Sequence, residues 1–530
     1  MAGDSSSFAS DDSAIDVPIE AEHVAPASGR EIVAVVLWTV LADLLIFRSL
    51  GFSGPALFLA IVPILFFIGC PRLAQGPASK LTIGLVLLVA ARSAWLGSGW
   101  TVFAAVALVV ALAMSAAGHV PHVLEGGVLT GRALMLGGER LSQFGNLTGM
   151  GLRQSGRAKG SWLAWGLPVI AAIVFGAIFV FANPNLFDWV TLRVTHAAER
   201  LQLWMESISI WELPFCIVAL LIGAGLIRRE LPMVQIGPTE NEGGLTNQEI
   251  ASPLYTAFRN TLLTLIVLFT IYLTFEFSTL WKREFPIGFY YAGYAHQGAG
   301  WLTFALALAT AVLSLIFRGS LLSDNRLMLL RRLAWIWSAQ NMLLAVAVYN
   351  RLMIYVGYNG MTRLRTVAFF GITVVVIGFV LVLCKIARDR GFWWLIRAQL
   401  LAFVLTVIVY SIFPVDYVVH RYNARAVASG YLPPSVMIAV KPITHEGFFP
   451  LMSLTKCEDV TIRDGVLALL AERQSQIEET PNEHWTEIQG SRVLLKQKLM
   501  QHQAEWAKFE NESARQDAIK SFRDYAMQWY

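Results

Sequence analysis

Residues 366–386 read TVAFFGITVVVIGFVLVLCKI, and in this run only Lys385 carries a charge. Arg363 and Arg365 stand before it, Arg388 and Arg390 after it. A hydrocarbon core about 30 Å thick is crossed by roughly 20 apolar residues wound as a helix. An apolar stretch of that length between basic flanks reads as a membrane span rather than a buried strand or core helix.

Ten further runs meet the same criterion, near residues 31–48, 52–70, 81–98, 100–118, 162–182, 211–227, 257–277, 299–317, 331–350 and 394–413. The expected fold is therefore all-α, a polytopic transmembrane helix bundle of about 11 spans. Composition agrees: 56% of the 530 residues are hydrophobic and 15% charged, against about 25% charged in soluble domains. A net charge of +4, dispersed along the chain, excludes a nucleic-acid partner; the bilayer is the first partner implied. Pro55, Pro63 and Pro214 are expected to kink or shorten the second and sixth runs. Cys70, Cys216, Cys384 and Cys457 have neither metal-site nor disulfide-framework spacing.

Three segments are expected around the spans. Residues 1–29 are small, polar and acidic, a disordered N-terminal tail with no basic signal-peptide region. Residues 30–413 form the bundle. Residues 414–530, where charges return every few positions after Pro414, read as a small, mostly helical soluble domain entered through Pro433, Pro434, Pro442 and Pro450, with Trp485, Trp506 and Trp529 in its core or on the bundle. The amphipathic stretch Val128 to Leu147 reads either as a helix on the membrane surface or as a connector packed on the bundle, and residues 228–255 as an exposed linker. With the N-terminus cytoplasmic, inner loops hold about twice as many Lys and Arg as outer loops, which places the C-terminus outside.

Polar residues inside spans are costly and each needs a partner or a role. Asp43 and Arg92 interrupt the first and third spans, Gln340 and Asn341 the ninth. Asp43 reads as a cation or proton site, or as structural glue to Arg92 or another basic group; the two amides read as interhelical hydrogen bonders. Three stretches on one expected outer face share a chemistry of tyrosines beside Arg, Asn and His. They are Glu276 to Gly298, containing Tyr291, Tyr294 and His296; Arg351 to Arg365, containing Tyr355, Thr362 and Arg363; and His420 to Arg425, containing Arg421 and Asn423. Arginine forks suit carboxylate or phosphate, and tyrosines suit a membrane interface. These residues form either a pocket for an anionic lipid headgroup or carboxylated solute, or a cap in which Glu276, Glu284 and Asp416 pair with Arg351, Arg363 or Arg365. Glu276 and Arg351, both at the lipid boundary, are expected within ion-pair reach. No phosphate-cradling loop, zinc-protease helix or nucleophile elbow occurs, so no catalytic residue, metal or cofactor is expected.

Those stretches carry a family resemblance. Leu280 to Leu302 resembles Leu-Trp … Pro-x-Gly-x-x-Tyr-Ala-x-Tyr-Ala-Arg-x-Gly-Phe, with His296 and Ala299 as departures. Arg351 to Arg365 resembles Arg-x-x-x-Tyr-x-x-x-Tyr-Gly-Leu-Thr-x-x-Arg, departing at Asn359 and Met361. Asn183-Pro184 with Phe187, Arg421-Tyr422-Asn423, and Trp506 to Arg515 match further elements. Together they resemble a bacterial multi-pass membrane family of unknown function (domain of unknown function 4173, related to 4153) over residues 180–520. The resemblance implies a helical fold in a bacterial inner membrane and no activity. Three functions stay open: a non-enzymatic sensing, scaffolding or envelope-associated component with an envelope protein or anionic lipid as partner; a secondary transporter with a midplane site at Asp43, Arg92, Gln340 and Asn341; or an envelope enzyme acting on a lipid-linked substrate.

Overall fold

A computed structural model of the chain describes residues 28–71, 76–154, 191–193, 195, 209–228, 231–232, 255–279, 291–317, 326–388, 390–481 and 484–529. Within these, the side chains of residues 146–154, 279 and 291–297 are outside the description. The expected span at 162–182, the Asn183-Pro184 element, most of the tail and of the 228–255 linker, and the loop 280–290 all fall outside the described residues.

Every regular element described is helical. The first run forms α1 (Gly29–Ala42). It widens at Asp43 into a π-helical turn, Asp43–Phe47. Then come α2 (Ser53–Gly69), α3 (Pro77–Leu96), α4 (Gly99–Ala116), α5 (Val123–Gln154) and α6 (Glu212–Leu226). The second half has α7 (Tyr255–Thr279), α8 (Tyr291–Ile316), α9 (Leu327–Asn359), α10 (Arg363–Ala387) and α11 (Phe392–Ile412).

Six stretches are long and apolar enough to cross a membrane: Pro77–Leu96, Gly99–Ala116, Tyr255–Ser278, Gly298–Ile316, Arg363–Ala387 and Phe392–Ile412. The other expected spans among the described residues differ for local reasons. The proline-bearing runs give the shorter apolar helices α2 and α6. The ninth run becomes the 33-residue α9, about 50 Å long at 1.5 Å per residue, with Arg331, Arg332 and Arg351 along it.

The six stretches are apolar on their outer faces too. On α7, Leu263, Val267, Leu268, Ile271 and Phe275 are all exposed. A helix hydrophobic all round belongs in protein core or lipid, and among the described residues Leu263, Val267, Leu268 and Ile271 keep 44–64% of their surface exposed.

Two helix groups pack around separate cores. Trp38 of α1 centres the first, edge-on to Phe58 and Phe66 of α2 at 4.9 and 6.4 Å between ring centroids. Trp337 of α9 centres the second, edge-on to Phe269 of α7 at 5.7 Å. Helix α11 joins the groups: Ile408 packs among Leu59, Val86, Val89 and Leu108 of α2 to α4. The stretch Val128 to Leu147 resolves in favour of the packed connector. It lies in α5, and Leu129, Ala133 and Leu136 are buried in the first core with Ala224 and Leu226 of α6.

After Pro414 the chain folds into short helices: α12 (Val415–Ala428), α13 (Ser435–Ala439), α14 (His445–Leu451), α15 (Val460–Glu479), α16 (Gly490–Gln501) and α17 (Glu512–Met527). They share one core, which includes Val466, Leu470, Leu495, Trp506 and Phe522. Trp506 is buried and donates Nε1 to Gln474 Oε1 at 2.9 Å. Trp485 and Trp529 are not in that core; both are exposed, at 46% and 44%, Trp485 opening a short 3-10 turn (Trp485–Glu487) and Trp529 lying beyond the end of α17.

Candidate functional site

The C-terminal helices sit on one end of the bundle, and the site grows from the turn between α9 and α10. Gly360 ends α9 with φ +81°, a region open to glycine. A Cβ there would lie 2.7 Å from Asn423 Oδ1 and 2.9 Å from Pro434 Cβ. Thr362 then caps α10, its hydroxyl accepting from the Arg365 amide at 3.2 Å.

Asn423 of α12, fully buried, grips the residue between them. Its Oδ1 accepts from the Met361 amide at 2.7 Å, and its Nδ2 donates to the Met361 carbonyl at 2.9 Å. One side chain thus satisfies both backbone groups of an irregular residue, as a neighbouring strand would. Arg365 braces the turn from inside, donating to the Gly360 carbonyl with its guanidinium 4.0 Å from the Tyr355 ring centroid.

Ion pairs surround this grip. Arg363 pairs through two nitrogens with Asp416 and donates to the Pro442 carbonyl at 3.1 Å. Asp416 also accepts from the Thr444 amide at 3.0 Å. Burial alone would raise the Asp416 carboxyl; the bonds from Arg363 and Thr444 outweigh it and hold the group below its usual range. Arg92 reaches from α3 to Glu446 with both nitrogens, one at 2.9 Å. The α1–α2 turn closes the seam: the Leu50 amide donates to Thr486 Oγ1 at 3.1 Å, and Ser53 donates to the Ile488 carbonyl. A cavity of about 690 Å³ lies here between Leu50, Phe52, His445, Glu487, Gln489 and Arg492.

Within the bundle, Glu276 and Arg351 form the expected pair, with Nε–Oε1 at 2.8 Å and Nη2–Oε2 at 2.5 Å. Tyr272 joins them, donating to Glu276 at 2.9 Å and accepting from Arg351 at 3.2 Å. Both charges are buried, at 0% and 3% exposure. Gly298 makes room: a Cβ there would meet Arg351 Nη1 at 1.7 Å. Tyr291, Tyr294 and His296 lie in the first turns of α8, where side chains are outside the description.

The four intramembrane polar residues are not brought together. Asp43 pairs with Arg48 at 3.1 Å, not with Arg92, and Arg48 also pairs with Glu212. The local reason is the π-helical turn, which returns the Arg48 amide to the Asp43 carbonyl and brings the two side chains side by side. Gln340 makes the expected interhelical bonds, to the Ile266 carbonyl at 3.1 Å and Thr270 Oγ1 at 2.8 Å. Asn341 instead donates to the Trp337 carbonyl of its own helix at 2.8 Å.

Sequence reasoning missed the partners that chain separation hides. Glu446 meets Arg92 across 354 positions, and Glu212 meets Arg48 across 164. At the far end of α1, Arg140 donates twice to Glu31, at 3.1 and 2.6 Å, with both residues buried. The first turn of α14 carries Glu446 just before the apolar Phe448, the one local sign that this acid faces inward.

His420, one turn after Asp416, is buried and its Nδ1 has no partner among the described residues. Burial pushes its imidazole down to about 4, against the pull of the Asp416 carboxylate and together with the repulsion of Arg363. The unfolded chain takes up this proton near pH 6.5, the folded one near 4, so the unfolded state binds more protons in between and stability falls as pH falls. His420 alone is expected to cost about 2 kcal/mol between pH 7 and 5. Denaturant melts of the detergent-solubilised protein should show that slope flattened in His420→Gln; an unchanged slope would refute the assignment.

A bundle with six apolar helices long enough to span a bilayer, capped at one end by a docked helical segment, defines a multi-pass membrane protein. The chain belongs to the family described as Domain of unknown function (DUF4153), whose model matches residues 81–436, from α3 into α13. The match takes in Arg92, Glu276, Arg351, Gly360 and Asn423, and ends before the Trp506 to Arg515 element. No curated protein and no solved structure matches the chain.

Proposed function

We propose that this protein is a non-enzymatic component of the bacterial inner membrane, a scaffold or sensor that holds its C-terminal helical domain, residues 414–530, docked against the periplasmic end of the bundle. One observation carries the reading. Residues that the sequence offered either as an anion pocket or as a cap of ion pairs are engaged within the chain: Glu276 with Arg351, Arg363 with Asp416, and Asn423 with the backbone of Met361. Such contacts position one part of the chain on another, as a cap does. The excess of basic residues in alternate loops supports a cytoplasmic N-terminus. Helix α1 runs from the Glu31–Arg140 end to the end where Leu50 meets Thr486, which supports termini on opposite sides.

Two measurements test this. A reporter active only in the periplasm, fused after Tyr530, is expected to be active, and activity of a cytoplasm-only reporter instead would reverse the placement. Cysteines replacing Ser53 and Ile488 are expected to join through a short bifunctional thiol reagent in native membranes. Absence of that cross-link in folded protein would end the docked arrangement.

A further inference from the structure

Most arginines on the docked end are engaged with acids or backbone. Two on α12 are not. Among the described residues Arg421 meets Tyr417 alone, its Nη1 3.5 Å from the hydroxyl and its guanidinium 5.8 Å from the ring centroid, and Arg425 has no side-chain partner. They stand four positions apart on the exposed face of one helix. Like charges at that spacing repel and weaken a helix unless an anion lies between them. Along them runs a shallow, open groove on the face of α12 itself, completed by Val418, Tyr422, Ala426 and Ser429, with no acidic residue in its lining.

The groove lies beside the ends of the apolar helices α10 and α11. Helix α12 starts three residues after the end of α11, and Asn423 on its opposite face holds the turn between α9 and α10. Beside it Tyr358, Tyr422 and Tyr431 form an exposed aromatic group, joined by a 3.0 Å bond from the Tyr431 hydroxyl to the Tyr358 carbonyl. Tyrosines with one apolar and one wet side gather at the headgroup level, and a planar guanidinium fork fits a phosphodiester.

We propose that Arg421 and Arg425 form a binding site for the phosphate of an anionic phospholipid, with the tyrosines flanking the headgroup. The site goes beyond docking: it fastens the C-terminal helices to the lipid as well as to the bundle. A lipid is favoured over a free anion because the groove opens beside the spans and apolar Val418 and Ala426 share its lining.

Native mass spectrometry of the full chain in detergent, titrated with phosphatidylglycerol or phosphatidylcholine, tests it. The wild type is expected to retain phosphatidylglycerol preferentially. Arg421→Gln with Arg425→Gln is expected to weaken that retention by roughly fivefold per arginine, leaving phosphatidylcholine unchanged. Arg132→Gln, on the exposed face of α5, serves as the control and should bind as wild type. An unchanged melting temperature in phosphatidylcholine nanodiscs separates loss of the site from loss of the fold. Equal phosphatidylglycerol retention by wild type and double variant would overturn the site. Displacement of the lipid by excess inorganic phosphate would overturn its assignment to lipid and leave a site for a free anion.

Discussion

Glu276→Ala is expected to destabilise the bundle by about 3–5 kcal/mol, the usual cost of leaving one member of a buried ion pair uncompensated. Arg351 is 3% exposed and receives both carboxylate oxygens of Glu276. It lies against Gly298 of α8, so its head group has no room to swing toward water without moving that helix. Tyr272 cannot replace the lost charge; its hydroxyl offers one dipole to a cation that has lost a full counter-charge.

The sign of the double variant makes this specific. Glu276→Leu with Arg351→Met removes both charges and keeps apolar volume, a change that is often neutral or stabilising. Thermal or denaturant melts followed by tryptophan fluorescence should therefore rank wild type and double variant together, with the single variant well below. A single variant as stable as wild type would show that the pair is hydrated. A double variant as unstable as the single would show that packing around Gly298, and not charge compensation, sets the cost.

The second large effect is expected at the grip on Met361. Asn423→Ala leaves the half-buried backbone N–H and carbonyl of Met361 without that partner, at up to about 1–3 kcal/mol each. Gly360→Ala attacks the same contact from the other side: it places a methyl 2.7 Å from Asn423 Oδ1 and forces an alanine to φ +81°, a strain of about 1–3 kcal/mol by itself. Both variants should release the C-terminal helices while the spans stay folded. Limited proteolysis in nanodiscs should then cut between Phe413 and Ser435 much faster than in wild type, with the fragment up to Ile412 persisting. Both changes break one contact, so the double variant should be no worse than Gly360→Ala alone. If proteolysis of both variants matches wild type, the ion pairs Arg363–Asp416 and Arg92–Glu446 hold the segment without the asparagine.

What the sequence determined alone follows from the bilayer as solvent. An apolar run such as 366–386 has one stable answer in lipid, because every backbone N–H and carbonyl must be paired within the segment. Helix, span and multi-pass class follow from local composition, and so does the pairing of Glu276 with Arg351, since two opposite charges at one lipid boundary are costly apart. Motif spacing likewise carried the family, because Gly360 and Asn423 each have few substitutes in the turn they build.

The tertiary structure decided what depends on distant chain segments. It sent Arg92 to Glu446 and Asp43 to Arg48, dissolving a midplane cluster that the sequence left open. It packed α5 on α6 where amphipathicity allowed the membrane surface equally. It also separated arginines alike in sequence: Arg351 and Arg365 are buried among partners and the exposed Arg363 pairs with Asp416, while Arg421 and Arg425 meet no acid among the described residues. Composition records that a charge is present; which of several acids answers it depends on how helices hundreds of residues apart come to lie side by side.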